Sequence, residues 1–229
     1  MATVYANTGD GWVGRFMQSS WSNARDQIAG TGSSSLSSAY FSGVSAYSQA
    51  GRGGGTIWYI LRSFFSFDTS GITDSVDDGA VFKVYGFSQS SGDVIAVKAT
   101  SDIASLGTAD FNSIDGWVHN TTDGSGGGSN DSNVTKYSAE ITSWSTSGYN
   151  DIALNAQART DMQNDDTLYI ALINHDFDLL DIDPNGLTAQ KNGLYYQNNT
   201  GTSKDPYINY TTTAAAAVTH NATFFGANF

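Results

Sequence analysis

The residues with the most chemical content are the acids of the run His175-Asp-Phe-Asp-Leu-Leu-Asp-Ile-Asp-Pro-Asn-Gly186. Asp181, Asp183 and Asn185 ahead of Gly186 match the opening of a calcium loop, in which oxygen ligands alternate and a glycine permits the sharp turn. The twelfth position would be Asn192 rather than a bidentate Glu, and Pro184 stiffens the middle. Asp176 and Asp178 add oxygens from the adjoining turn. The metal candidates are therefore Asp176, Asp178, Asp181, Asp183 and Asn185, with calcium the one cofactor expected. The competing reading is an acidic Asx-turn loop leaving a strand. A second set is aromatic: Trp117, Tyr195 and Tyr196 sit among Asn and Asp in polar segments and could stack on sugars. The competing reading for each ring is completion of a large core.

Enzyme signatures are absent. His119, His175 and His220 are isolated, with no His pair at metal-ligand spacing. There is no nucleophile elbow, P-loop or dinucleotide-binding glycine pattern. With 0 Cys, thiol catalysis and thiolate metal sites are excluded. Two carboxylates for glycoside hydrolysis need only the right separation in space, but the acids cluster in turns (Asp74, Asp77, Asp78; Asp165, Asp166). The expectation is a non-enzymatic protein.

Charge narrows the partners. The 22 acids and 10 bases leave a net charge of -12, which disfavours nucleic acid. No stretch approaches the ~18 consecutive apolar residues of a membrane span. Residues 1–15 lack a basic region followed by an apolar run, so no signal peptide is read there.

The elements that must position these residues read as strands. In Thr56–Ser70 (TIWYILRSFFSFDTS), Trp58, Ile60, Arg62 and Phe64 fall on one face, and Tyr59, Leu61, Ser63, Phe65 and Phe67 on the other. Period two with both faces filled places a strand inside a sandwich, with a sheet expected on each side. The 25 Gly, 2 Pro and 13% aromatics agree with short strands joined by Gly/Ser/Asn/Asp turns. Further strands are expected at 2–6, 39–48 (with a bulge at Gly43), 80–87, 93–100, 134–141, 152–154, 167–174 and 206–212. Short helices are expected over 20–29, capped by Ser20 or Ser22 and Gly30, and over 156–162. The sum is an all-β, antiparallel, jelly-roll-like sandwich of eight or nine strands with long loops, spanning residues 1–212 as one domain. Residues 213–229 then form an apolar arm, in which Val218, Phe224, Phe225 and Phe229 are the candidates for packing on neighbouring subunits.

Arg62-Ser-Phe-Phe-Ser-Phe-Asp-Thr-Ser-Gly-Ile72, the acidic turn after it, and Ala80-Val-Phe-Lys-Val-Tyr-Gly86 resemble the DNRLRE-like β-sandwich modules. Gly201-Thr-Ser-Lys-Asp-Pro-Tyr-Ile-Asn-Tyr210 resembles their last strand. Such modules resemble carbohydrate-binding jelly rolls and occur in secreted surface proteins and in structural proteins of tailed bacteriophages. With no signal peptide and an apolar arm, the resemblance implies a virion structural protein on the particle exterior, either capsid decoration or a tail or fibre component. It would be made in the host cytoplasm and partnered by its own copies and other virion proteins. The alternative is a carbohydrate-binding adhesin module with glycans as partners. Neither nucleic acid nor membrane is expected as a partner.

Overall fold

The computed structural model describes residues 1–35, 38–100, 106–119, 127–186 and 189–214. The arm candidates Val218, Phe224, Phe225 and Phe229 lie outside the described residues.

Thirteen strands run β1 (Ala2–Tyr5), β2 (Gly11–Gln18), β3 (Gly32–Ser34), β4 (Ala39–Ala50), β5 (Thr56–Asp68), β6 (Ser75–Val76), β7 (Val81–Ser90), β8 (Val94–Lys98), β9 (Tyr149–Ala153), β10 (Thr167–Asn174), β11 (Gln190–Tyr195), β12 (Tyr207–Tyr210) and β13 (Thr212–Thr213). Two helices, α1 (Trp21–Arg25) and α2 (Ala156–Asn164), and short helical turns at Thr108–Asn112 and His175–Leu179 complete the described elements. Every strand pairing among them is antiparallel. The main path is β1-β12-β7-β11-β4-β5-β10-β8, with β2 and β3 added beside β5 and β9 beside β7. The fold is an all-β sandwich. None of the described helices is long and apolar enough to cross a membrane.

Both faces of β5 are filled, as its alternation requires. Phe65 and Phe67 pack with Phe82 and Val84 of β7, Ile152 of β9 and Ile208 of β12, which is the core between the sheets. Trp58, Ile60 and Phe64 point the other way, onto Val13, Trp21, Phe111, Trp117, Phe177 and Leu179. That second face is covered by α1 and by residues from 106–119, 127–134 and 175–180, rather than by the second sheet expected from sequence. The reason lies in the long connections: they carry enough apolar residues to seal a sheet face without pairing as strands.

Other differences have local causes. Residues 134–141 form no continuous strand; they meet β8 at the isolated bridges Val97↔Lys136 and Val94↔Ile141 and through single backbone bonds from Lys98 N to Thr135 O (2.8 Å) and from Tyr137 N to Ala96 O (2.8 Å). There Ser138 Oγ accepts from Ala96 N (3.0 Å) and so takes the place of a ladder bond. The helix expected over 20–29 begins with Ser20 as cap, its Oγ accepting from Asn23 N, but ends at Arg25 instead of running to Gly30. The eight-residue β2, with Trp12 and Val13 in it, precedes it. The bulge at Gly43 is present: between the pairs Asn192↔Val44 and Leu194↔Tyr40 the register slips.

The loop layer is fastened to the sheet by one buried cation. Arg62, fully buried on β5, donates from Nε to Asp178 Oδ2 (2.8 Å) and from Nη2 to Asp178 Oδ1 (2.7 Å). Its Nη1 donates to Phe111 O (2.7 Å) and Asn112 Oδ1 (2.8 Å). The guanidinium lies 4.0 Å from the ring centres of both Phe111 and Trp117. Arg25 of α1, also fully buried, adds Nε to Asp178 O (2.6 Å), Nη1 to Asp26 Oδ1 (2.6 Å) and Nη2 to Gly128 O (2.9 Å). A lone buried charge is costly, whereas a bidentate pair with every donor used is tolerated. Replacing Arg62 by Met removes the bidentate partner of Asp178, leaving Arg25 Nε at 3.9 Å as its remaining cation, and is expected to cost roughly 3–5 kcal/mol in urea unfolding. The double variant Arg62→Met/Asp178→Asn should recover part of that loss. Equal stability of the two variants would show that the charge pairing is not what holds the layer.

Candidate functional site

The five calcium candidates are not gathered on one point. Asp178 faces Arg62. Asp181 Oδ1 accepts the indole N–H of Trp21 (2.8 Å) and lies 3.5 Å from Arg25 Nη1. Asp183 Oδ1 accepts from Trp58 Nε1 (2.7 Å) and from Asn185 N (2.9 Å), the latter closing an Asx turn. Asn185 Oδ1 accepts from Thr56 Oγ1 (3.3 Å). Asp176 pairs instead with His175 Nδ1 (2.9 Å). Asp178, Asp181 and Asp183 thus face two arginines and two indoles, while Asp176 stands apart from them beside His175.

The aromatic candidates divide by strand parity. Trp117 is 9% exposed and its ring covers Arg62, so it belongs to the core. Tyr196 is fully buried, with its hydroxyl 2.6 Å from Ser63 Oγ. Neither ring is available to a sugar. Tyr195, one residue earlier in extended chain, points to the opposite face and is partly exposed.

Tyr195 is one member of a line that no single segment of sequence displays. On the outer face of the β1-β12-β7-β11 side, ring centres follow one another at 5.6 Å (Tyr5 to Tyr207), 5.0 Å (Tyr207 to Tyr149), 5.2 Å (Tyr149 to Tyr85), 5.7 Å (Tyr85 to Tyr195) and 5.2 Å (Tyr195 to Phe87). Register builds it: Tyr5 stands opposite Tyr207, and Tyr85 opposite Tyr149. The spacing is that of neighbouring strands, close to 4.8 Å plus the offset of tilted rings. Successive planes are inclined by 54–82°, so edges meet faces, the arrangement that ring quadrupoles favour. None of the six rings is among the buried core residues, and Tyr5 is 45% exposed.

Polar groups border the line. Lys204 Nζ stands 4.2 Å from the Tyr195 ring centre and donates to Tyr195 Oη (3.1 Å). Tyr85 Oη donates to Ser147 O (2.8 Å), and Tyr149 Oη reaches Ser203 O (3.1 Å) and Asp205 O (3.2 Å). These bonds fix the rings before any ligand arrives. Such a surface can take the C–H faces of sugar rings between aromatic edges, with hydroxyl and ammonium groups left over for hydrogen bonds. Sequence reasoning named Tyr195 but missed Tyr5, Tyr85, Tyr149 and Tyr207. Their signal is the outward parity of each strand, seen in Lys83-Val-Tyr-Gly-Phe87 and Tyr149-Asn-Asp151, and it becomes a site only once the strands are ordered.

Asp10 is buried and accepts from Gln197 N (3.0 and 3.2 Å). Burial, reinforced by the neighbouring charge of Asp205, pushes its carboxyl up to about 8. At neutral pH Asp10 is therefore largely protonated. Its folded-state value lies above the ordinary 3.8, so its contribution to stability is complete below pH 3.8 and is lost as pH rises toward about 8. Asp10→Asn should remove that slope, and its melting temperature should gain on the parent's progressively between pH 5 and about 8. Parallel melting profiles for the two proteins would contradict the assignment.

No protein-family model and no curated protein matches the chain, so its functional reading rests on this surface and the chemistry of its residues.

Proposed function

We propose that the protein is a non-enzymatic binding module that holds an extended, neutral glycan along the line Tyr5, Tyr207, Tyr149, Tyr85, Tyr195 and Phe87. The carrying observation is the continuity of six rings across five strands, each in contact with the next. A single sugar would use one or two of them; a polymer uses the row. The net charge of -12 disfavours polyanions and so points to an uncharged polysaccharide. The DNRLRE-like motifs at 62–86 and 201–210 support the same reading, since those modules resemble carbohydrate-binding jelly rolls. The non-enzymatic part is supported by the commitment of Asp178, Asp181 and Asp183 to arginine and indole donors.

The test is affinity electrophoresis through a panel of soluble neutral polysaccharides, followed by calorimetry on any that retard the protein. Tyr85→Ala/Tyr195→Ala should weaken binding at least tenfold, the equivalent of about 1.4 kcal/mol, with the melting temperature little changed. The reading is lost if no neutral polysaccharide binds, or if the double variant binds as well as its parent.

A second reading concerns where such a module works: on the exterior of a bacteriophage particle, attached through its terminal segments. It is supported by residues 214–229, which contain no Lys, Arg, Asp or Glu and follow directly on β13. Light scattering after size exclusion should give an oligomer for the full chain and a monomer for a chain ending at Ala214. Equal masses per chain would count against attachment through that end.

A further inference from the structure

Asp93, Glu140 and His175 meet at one edge of the sandwich, far along the chain from one another. Pairing brings them there. Val94 and Ile141 exchange both backbone bonds (3.1 and 2.7 Å), which sets Glu140 beside Asp93. Asn174 stands opposite Val94 in the β10–β8 ladder, and His175 N donates to Asp93 O (2.9 Å). One ligand atom from each of Asp93, Glu140 and His175 lies within 4.8 Å of the other two. From these residues we propose a site for a first-row divalent transition-metal ion, Zn²⁺ in the first instance, ligated by His175 Nδ1, Asp93 Oδ1 and Glu140 Oε2.

The separations carry the argument. His175 Nδ1 is 3.8 Å from Asp93 Oδ1 and 3.6 Å from Glu140 Oε2, too long for hydrogen bonds. Two ligands held ~2.0–2.1 Å from one Zn²⁺ at the tetrahedral angle stand roughly 3.3 Å apart, so a contraction of a few tenths of an ångström brings each of these two oxygens to ligand spacing from the imidazole nitrogen. Asp176 Oδ1, 2.9 Å from the same imidazole nitrogen, is placed to give a fourth oxygen.

Asp93 is an independent pointer. It is only 6% exposed, yet Oδ1 faces the gap with no closer partner than Asp176 N at 3.2 Å. Its other oxygen is held by Asn174 Nδ2 (2.6 Å), which orients the carboxylate from behind as the outer hydrogen bond of a metal ligand does. Among the described residues no Lys or Arg forms an ion pair with Asp93, Glu140 or Asp176. An imidazole nitrogen among carboxylates suits Zn²⁺ or its neighbours better than Ca²⁺, whose sites are built of oxygen. An ion here would clamp the end of β10 to the start of β8 and to the 138–141 segment. This assignment is independent of the glycan reading.

The experiment uses the full chain, stripped with a chelator and titrated with ZnCl2 in a calorimeter, with Tm recorded in parallel. Expected are saturable binding of one ion per chain and a rise in Tm. Glu140→Gln and His175→Ala should each weaken binding at least tenfold; Glu140 is exposed and its variant keeps the fold, which the metal-free Tm verifies. The proposal is overturned if the parent shows no saturable Zn²⁺ binding, or if Glu140→Gln binds as tightly. Binding of Ca²⁺ that His175→Ala leaves intact would also overturn it, by showing an acidic patch instead of a mixed nitrogen–oxygen site.

Discussion

The structure depends on satisfying a positive charge in the middle of a hydrophobic strand. Arg62 occupies a position on β5 whose neighbours on the same face, Ile60 and Phe64, are wholly apolar and fully buried. It is acceptable there only because Asp178 arrives with two oxygens, the loop at 111–112 with two more, and the rings of Phe111 and Trp117 pack against the guanidinium. The partners come from two different connections, β8–β9 and β10–β11, so the demands of one side chain draw both long loops onto the sheet. The indoles of Trp21 and Trp58 then take Asp181 and Asp183, and the whole 175–185 segment is anchored.

This arrangement makes the sandwich asymmetric. One face of the β5 side is sealed by loops, and the other by the opposing sheet. What is left open is the outer face of the β1-β12-β7-β11 side, where outward parity places tyrosines and Lys204 in contact across five strands. Tyrosine suits such a place because the ring gains from its neighbours while the hydroxyl stays wet or bonds a loop carbonyl. Rings already fixed by hydrogen bonds lose little freedom when a ligand binds.

Much of the scaffold was legible in the chain. The alternation in 56–68 announced a strand buried on both faces, and Gly43 announced a bulge, because these are local consequences of pleat and backbone sterics. Where sequence reasoning failed, the missing information was the partner. Val134–Ile141 has strand-like composition, but Ser138 competes for the ladder of β8 and the pairing is broken into bridges. The acids at 178, 181 and 183 have the spacing of a cation site, and in the fold each faces a protein donor. Spacing along a chain cannot distinguish a carboxylate waiting for an ion from one promised to an arginine more than a hundred residues away.

The two neighbours Tyr195 and Tyr196 hold both lessons. That they face opposite ways follows from the two-residue period and was decided by the sequence alone. Which of them is core and which is surface depends on the side of β11 on which the second sheet lies, and only the folded chain settles that. The same holds for the tyrosine line and for the meeting of Asp93, Glu140 and His175. Local sterics fix strands, bulges and alternation, whereas strand order and register, set by burial summed over the whole molecule, decide which distant side chains become neighbours.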